Sequence, residues 1–139
     1  MAPPNNWNIR ILVVDDEPFI LTLAVRLLNN IGYNNIDTAE SSAMALTKLI
    51  GNEKLYDVIM SDLKMPPMNG SDFMRWVQRS EFEGSIILFS GVDRSELENE
   101  FDLVKSFDLN VLGAISKPLQ QEHLQKLLQD VVPSNSSVG

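Results

Sequence analysis

The feature that most constrains this chain is an alternation. Short β-branched apolar runs give way, again and again, to stretches whose apolar residues recur every three or four positions. Ile9-Arg10-Ile11-Leu12-Val13-Val14 is nearly all apolar, as expected of a parallel strand covered on both faces. Asp16-Glu17-Pro18 then reads as a helix start, with Asp16 as cap and Pro18 in the first turn, where its missing N–H costs nothing. Ile20, Leu23, Ala24, Leu27, Leu28 and Ile31 make one apolar helix face, closed by Gly32. A second strand is expected near Ile36 to Ala39, and a helix over about 42–50 capped by Ser41 or Ser42. The third strand is Asp57 to Ser61. Prolines 66 and 67 forbid helix in the following loop. A third helix carries Phe73, Trp76 and Val77. The fourth pair is a strand at 85–89 and a helix with Leu97, Phe101 and Val104 inward; the fifth is a strand at 111–115 and a helix with Leu124, Leu127, Leu128 and Val131 inward. Five strands alternating with five helices define an α/β fold with a doubly wound, mostly parallel sheet. In such sheets the functional crevice lies at the carboxyl ends of the strands.

The residues just after the strands are Asp15 and Asp16, Asp62, Ser90 and Lys117. Each alone is an ordinary loop residue; together they form a constellation. Three carboxylates brought together repel one another unless a cation compensates or their pKa values rise. Ligation by oxygen alone, with room for water, suits Mg²⁺ or Mn²⁺ better than zinc. An ammonium, a hydroxyl and a divalent cation facing one carboxylate make a clamp for a phosphoryl group, and a carboxylate can be its nucleophile. The chemistry indicated is phosphoryl transfer to an Asp.

Composition agrees. The 139 residues carry 11 Lys+Arg against 19 Asp+Glu, a net charge of −8, which favours a cation partner and opposes nucleic-acid binding. That length suits one domain that needs no staple. There is no cysteine, which removes disulfides, thiolate metal sites and Cys nucleophiles, and fits a reducing compartment. No apolar run approaches the roughly 20 residues that span a bilayer. The N-terminus shows no secretory signal, so the expected location is the cytoplasm, without membrane contact.

At this point the sequence resembles the receiver domain of two-component response regulators. Ile11-Leu12-Val13-Val14-Asp15-Asp16-Glu17-Pro18, then Asp62-Leu63-Lys64-Met65-Pro66-Pro67-Met68-Asn69-Gly70, then Ser90-Gly91 and Lys117-Pro118 carry the likeness in order and spacing. It covers about residues 8–132, leaving 1–7 as an N-terminal extension and 133–139 as a tail or the start of a linker. The resemblance implies a flavodoxin-like sheet in order 2-1-3-4-5 and a phosphoacceptor at Asp62, served by a sensor histidine kinase or a histidine phosphotransfer protein. It implies Mg²⁺ held by Asp16, Asp62 and the backbone carbonyl of Lys64, with Asp15 acting mainly through water. Lys117 would bind one phosphoryl oxygen and Ser90 would swing in to another. A cis Lys117-Pro118 bond is expected, and a homodimer is compatible with the family.

Two departures stand out. Where most receivers carry Tyr or Phe three residues before the lysine, this chain has Ala114. The interval from Ser90 to Lys117 is about one helical turn longer than usual and holds Asp93, Glu96, Glu98, Glu100 and Asp102. That long fourth helix, with the stretch from Asp108 to Leu119, resembles receivers that precede EAL-type cyclic di-GMP phosphodiesterase domains. The expected function is therefore a phosphoacceptor switch, not an enzyme beyond slow self-phosphorylation and autodephosphorylation, controlling an EAL domain absent from these residues. The alternatives are a stand-alone receiver acting through protein contacts, a binding module without phosphorylation, and a Mg²⁺-dependent phosphohydrolase. The last needs a second acid two residues beyond the nucleophile, where this chain has Lys64. His123, the only histidine, reads as a surface residue of the last helix, and the acidic run from 93 to 102 as a solvated face.

Overall fold

The computed structural model describes residues 3–52, 55–65 and 68–133. Pro66, Pro67 and the tail from residue 134 onward, on which the helix-breaking and linker expectations fall, lie outside the described residues. In chain order the elements are β1 (Arg10–Val14), α1 (Pro18–Ile31), β2 (Asn35–Ala39), α2 (Ser42–Leu49), β3 (Val58–Asp62), β4 (Lys64–Met65), β5 (Met68–Asn69), α3 (Gly70–Arg79), β6 (Ser85–Ser90), α4 (Arg94–Lys105), β7 (Asn110–Ser116) and α5 (Gln121–Leu128).

The main sheet has five strands in the order β2-β1-β3-β6-β7, and its pairings are parallel. Counting only its own strands this is 2-1-3-4-5, the expected doubly wound order. Strand alternation divides the core into two layers. Leu12, Val14, Ile59, Ile86 and Leu88 face α2, α3 and α4, meeting Ala45, Phe73, Val77, Leu97 and Val104. Ile11, Val13, Met60, Ile87, Phe89 and Ile115 face α1 and α5, meeting Leu21, Ala24, Leu28, Leu124 and Leu128. Because both faces are covered, the central strands are apolar in nearly every position, which is why they read as continuous runs.

Two local expectations are corrected. Asp16 does not cap α1: the N-cap is Glu17, without a side-chain cap bond, and Pro18 follows in the first turn. The free Glu17 N–H is instead taken by Asp15 Oδ1 at 2.9 Å, so the carboxylate nearest the strand holds the turn. The loop after β3 is not wholly irregular, since β4 and β5 pair as a small antiparallel ribbon, Lys64 opposite Asn69. Ser41 is the cap of α2, accepting from the Met44 N–H.

The segment before β1 is packed. Asn6 is buried; its Nδ2 donates to the carbonyls of Leu128 and Val131, both at 2.8 Å, and its Oδ1 accepts from the Tyr33 hydroxyl at 2.8 Å. Gly32 ends α1 at φ +124°, and a Cβ there would stand 2.7 Å from Pro4 Cδ. The glycine is thus required both by its backbone and by the close pass of the N-terminal segment. Among the described residues no helix is long and apolar enough to cross a membrane.

Candidate functional site

Register brings the strand ends into one row. Val14 pairs with Ser61, Asp62 with Phe89, and Ser90 with Ser116. Asp15 therefore emerges beside Asp62, and Lys117 beside Ser90, at the carboxyl edge where the switch-point rule directs attention.

Lys117 Nζ stands 3.1 Å from Asp15 Oδ2, 3.1 Å from Asp62 Oδ2 and 3.5 Å from Glu17 Oε1. The Lys117-Pro118 bond after it is cis, as expected, and the Lys117 backbone N–H donates to the Ser90 carbonyl at 2.9 Å. The ammonium is mostly shielded, and both Asp15 and Asp62 are buried. Burial by itself would lower the Lys117 pKa, but the two carboxylates outweigh it and hold the ammonium charged, above its ordinary value.

Asp15 shows the opposite balance. Burial pushes its carboxyl up from 3.8 to about 6, and the charge of Asp62 adds to the rise; the Glu17 N–H and Lys117 pull it down only in part. Its Oδ2 lies within ion-pair distance of Lys117, yet accepts no aligned hydrogen bond. A buried carboxylate oxygen with free lone pairs costs free energy unless a donor or a cation meets it.

Carboxylate oxygens of Asp15, Asp16, Glu17 and Asp62 all lie within 4.8 Å of one another. Asp16 and Glu17 are exposed on the solvent side of this ring, and Asp15 and Asp62 close its buried side. The donor set is hard oxygen only, open to water on one side, and suits a small divalent cation. Glu17 is the member that the strand-end reading missed. Its signal was its place, next in line after Asp15 and Asp16, ahead of the proline that starts α1.

Asp62 Oδ1 accepts the Lys64 N–H at 3.1 Å. The Lys64 ammonium points away from the row, to Glu96 Oε1 of α4 at 3.0 Å. Ser90 is buried at the end of β6, and its Oγ accepts the Val92 N–H at 3.3 Å, so the hydroxyl is engaged along its own loop. At Gly91 an added Cβ would meet only Lys117 Cδ, at 3.9 Å, which leaves the approach to the row open. Ala114 lies on β7 and lines a cavity of about 180 Å³ together with Arg94, Leu97, Glu98, Phe101 and Ser116. His123 is exposed on α5, and Trp76 is half exposed.

The parallel sheet of this order gathers acids and a lysine at its carboxyl edge. The model of the response regulator receiver domain matches residues 11–129, and the chain belongs to that family. It is a receiver domain of two-component response regulators. It is 30% identical over 123 residues to the two-component response regulator ORR21 of Oryza sativa, covering 88% of this chain and 17% of that one. It is 31% identical over 123 residues to the cyclic di-GMP phosphodiesterase RocR of Pseudomonas aeruginosa, covering 87% of this chain and 31% of RocR. The chain thus spans less than a third of the length of these curated relatives. Among solved structures it is similar to the chemotaxis protein CheY4 of Vibrio cholerae, with a TM-score of 0.72, 30% identity, and coverage of 89% of this chain and 98% of that one.

Proposed function

We propose that the chain is a phosphoacceptor switch, with Asp62 as the acceptor. The observation that carries this reading is the placement of Lys117 Nζ 3.1 Å from Oδ2 of both Asp62 and Asp15, beside a cluster of four carboxylates. A carboxylate oxygen of Asp62 attacks the phosphorus of a phosphohistidine on a sensor kinase or phosphotransfer protein. The P–O bond forms as the P–N bond breaks, and the electron pair stays on the imidazole nitrogen, which takes up a proton. The product is an acyl phosphate, which water later hydrolyses.

Lys117 supplies a fixed positive charge where the transferring phosphoryl oxygens gather charge. Asp16, Asp62 and the Lys64 carbonyl would hold Mg²⁺, with Asp15 and Glu17 completing its surroundings; when bound, the ion neutralises phosphoryl oxygens and relieves the repulsion within the ring. The gathering of four carboxylate oxygens within 4.8 Å of one another supports this fit. Ser90 gives up the Val92 N–H and turns its hydroxyl to a phosphoryl oxygen. The new charge then biases the surface around α4.

The output we infer is control of an EAL-type cyclic di-GMP phosphodiesterase in the same polypeptide, on the strength of the likeness to RocR, of which this chain spans 31%. The second reading is a receiver that acts alone through protein contacts, drawn from the likeness to the chemotaxis protein CheY4, to which the chain is 30% identical. A phosphohydrolase is disfavoured because Lys64, at the position of the second acid, offers an ammonium already paired with Glu96. Incubation with phosphoramidate and Mg²⁺, followed by intact mass, tests the acceptor role. One adduct in the wild type and none in Asp62→Asn is expected; no adduct in the wild type contradicts it, and phosphate release over many turnovers favours the hydrolase.

A further inference from the structure

The side chain of Lys64 has a place that the acceptor chemistry has not used. Its N–H is fixed to Asp62 Oδ1, so its stem starts at the acceptor itself. Its ammonium crosses to α4 and pairs with Glu96 at 3.0 Å, with the two side chains 62% and 45% exposed. Between the end of β3 and α4 lies a cavity of about 200 Å³ lined by Leu63, Lys64, Val92, Glu96 and Glu100. The ammonium therefore has room to move. Asp93, which caps α4 through the Glu96 N–H, also feels Lys64: its carboxyl is held below the usual range by that N–H first, then by the Ser95 hydroxyl, with the Lys64 charge adding to them.

The other flank of α4 is also open. The cavity of about 180 Å³ beside Ala114 lies against Arg94, Leu97, Glu98 and Phe101. The N-terminal half of α4 is thus flanked by two cavities. It is held by one fully inserted side chain, Leu97, by its Asp93 cap, and by the ion pair to Lys64.

We propose that Lys64 is a second phosphoryl-binding cation, released from Glu96 when Asp62 is phosphorylated, and that this exchange unlatches the first turn of α4. The inference rests on the phosphoacceptor reading. An exposed ion pair between monovalent groups is weak and easily exchanged. A phosphoryl group on Asp62 brings about −1.5 to −2 charges and three strong acceptor oxygens, so it outcompetes a single carboxylate for an ammonium on a flexible stem. The exchange transmits occupancy of Asp62 to α4 without an aromatic at position 114.

The test is a beryllofluoride titration, in Mg²⁺, of the whole chain and three variants, read by the fluorine resonance of the bound probe. Beryllofluoride stands in for the phosphoryl group. Removing the competing carboxylate in Glu96→Gln tightens binding on the order of twofold to fivefold, the range set by an exposed ion pair. Lys64→Met weakens binding, and in the double variant the Glu96→Gln effect disappears. In parallel, the amides of Ser95 to Leu97 exchange faster when the wild type binds beryllofluoride, and are already faster in free Glu96→Gln. Binding that is indifferent to Glu96, or a Glu96→Gln gain that persists without Lys64, overturns the latch and leaves the acceptor reading intact. A wild type that neither binds the probe nor takes a phosphate adduct overturns both.

Discussion

Lys117 Nζ lies 3.1 Å from Asp62 Oδ2, across 55 residues of chain. The two side chains meet because β7 and β3 flank β6 in one parallel sheet, with Ser116 opposite Ser90 and Phe89 opposite Asp62. The same ammonium lies 3.1 Å from Asp15 Oδ2, so one cation faces two buried carboxylates.

Replacing that cation leaves Asp15 and Asp62 buried and unpaired. Lys117→Met is expected to lose about 2–3 kcal/mol at neutral pH, the cost of breaking a mostly shielded ion pair. Mg²⁺ should restore part of the loss by binding the folded chain alone. Urea unfolding with and without Mg²⁺ measures both quantities; a variant as stable as the wild type in either condition contradicts the pairing.

Asp15 provides a pH signature. Its carboxyl is raised to about 6, chiefly by burial, from an ordinary 3.8. The folded chain therefore holds its proton more tightly than the unfolded chain. Stability from this group is undiminished below about pH 4, falls as pH rises between the two values, and is lowest above about 6. Asp15→Asn should accordingly be more stable than the wild type at pH 7.5 by on the order of 1 kcal/mol, allowing for solvent screening, and the advantage should vanish near pH 4. Melting temperatures across that range, without divalent metal, decide it. An advantage that stays constant with pH shows that Asp15 titrates normally.

Asn6 ties the first residues to the last helix. Asn6→Ala would strand the Val131 carbonyl and the Tyr33 hydroxyl, both bonded to it now, and would take one of two donors from the Leu128 carbonyl, which keeps the Val131 N–H. A loss of about 2–3 kcal/mol is expected, as for stranded buried polar groups. Chemical denaturation measures it. A change within a few tenths of a kcal/mol would mean that water takes over those bonds.

Much of this was legible in the sequence. The five apolar runs predict the sheet because strands covered on both faces cannot hide their composition, and the switch-point rule turns strand ends into site residues. Asp15, Asp62 and Lys117 are brought together where that rule puts them. The exceptions lie in local competition for donors. Asp16 reads as a helix cap by type, but Asp15 takes the Glu17 N–H first. Glu17 joins the carboxylate ring through the turn that Asp15 holds, which spacing alone does not encode. The acidic run of α4 reads as a solvated face. In the structure Asp93 caps the helix, Glu96 holds Lys64, and Glu98 pairs with Arg94. The run is a solvated face as read, and only the Glu96–Lys64 pair joins two elements; it depends on the angle at which α4 meets the loop after β3, which no sequence period reports. The missing aromatic at Ala114 was visible from sequence; that Phe101 of α4 lines the same cavity required the packed fold.

The central claim is that Asp62 carries the phosphoryl group, and the most direct measurement is chemical. The wild-type chain is treated with phosphoramidate and Mg²⁺, then with borohydride, which reduces an aspartyl phosphate to homoserine, and is mapped by peptide mass spectrometry. Homoserine is predicted at position 62 alone, and nowhere when Mg²⁺ is chelated or when Asp62 is Asn. Homoserine at another carboxylate, or none in the fully treated wild type, would contradict the account.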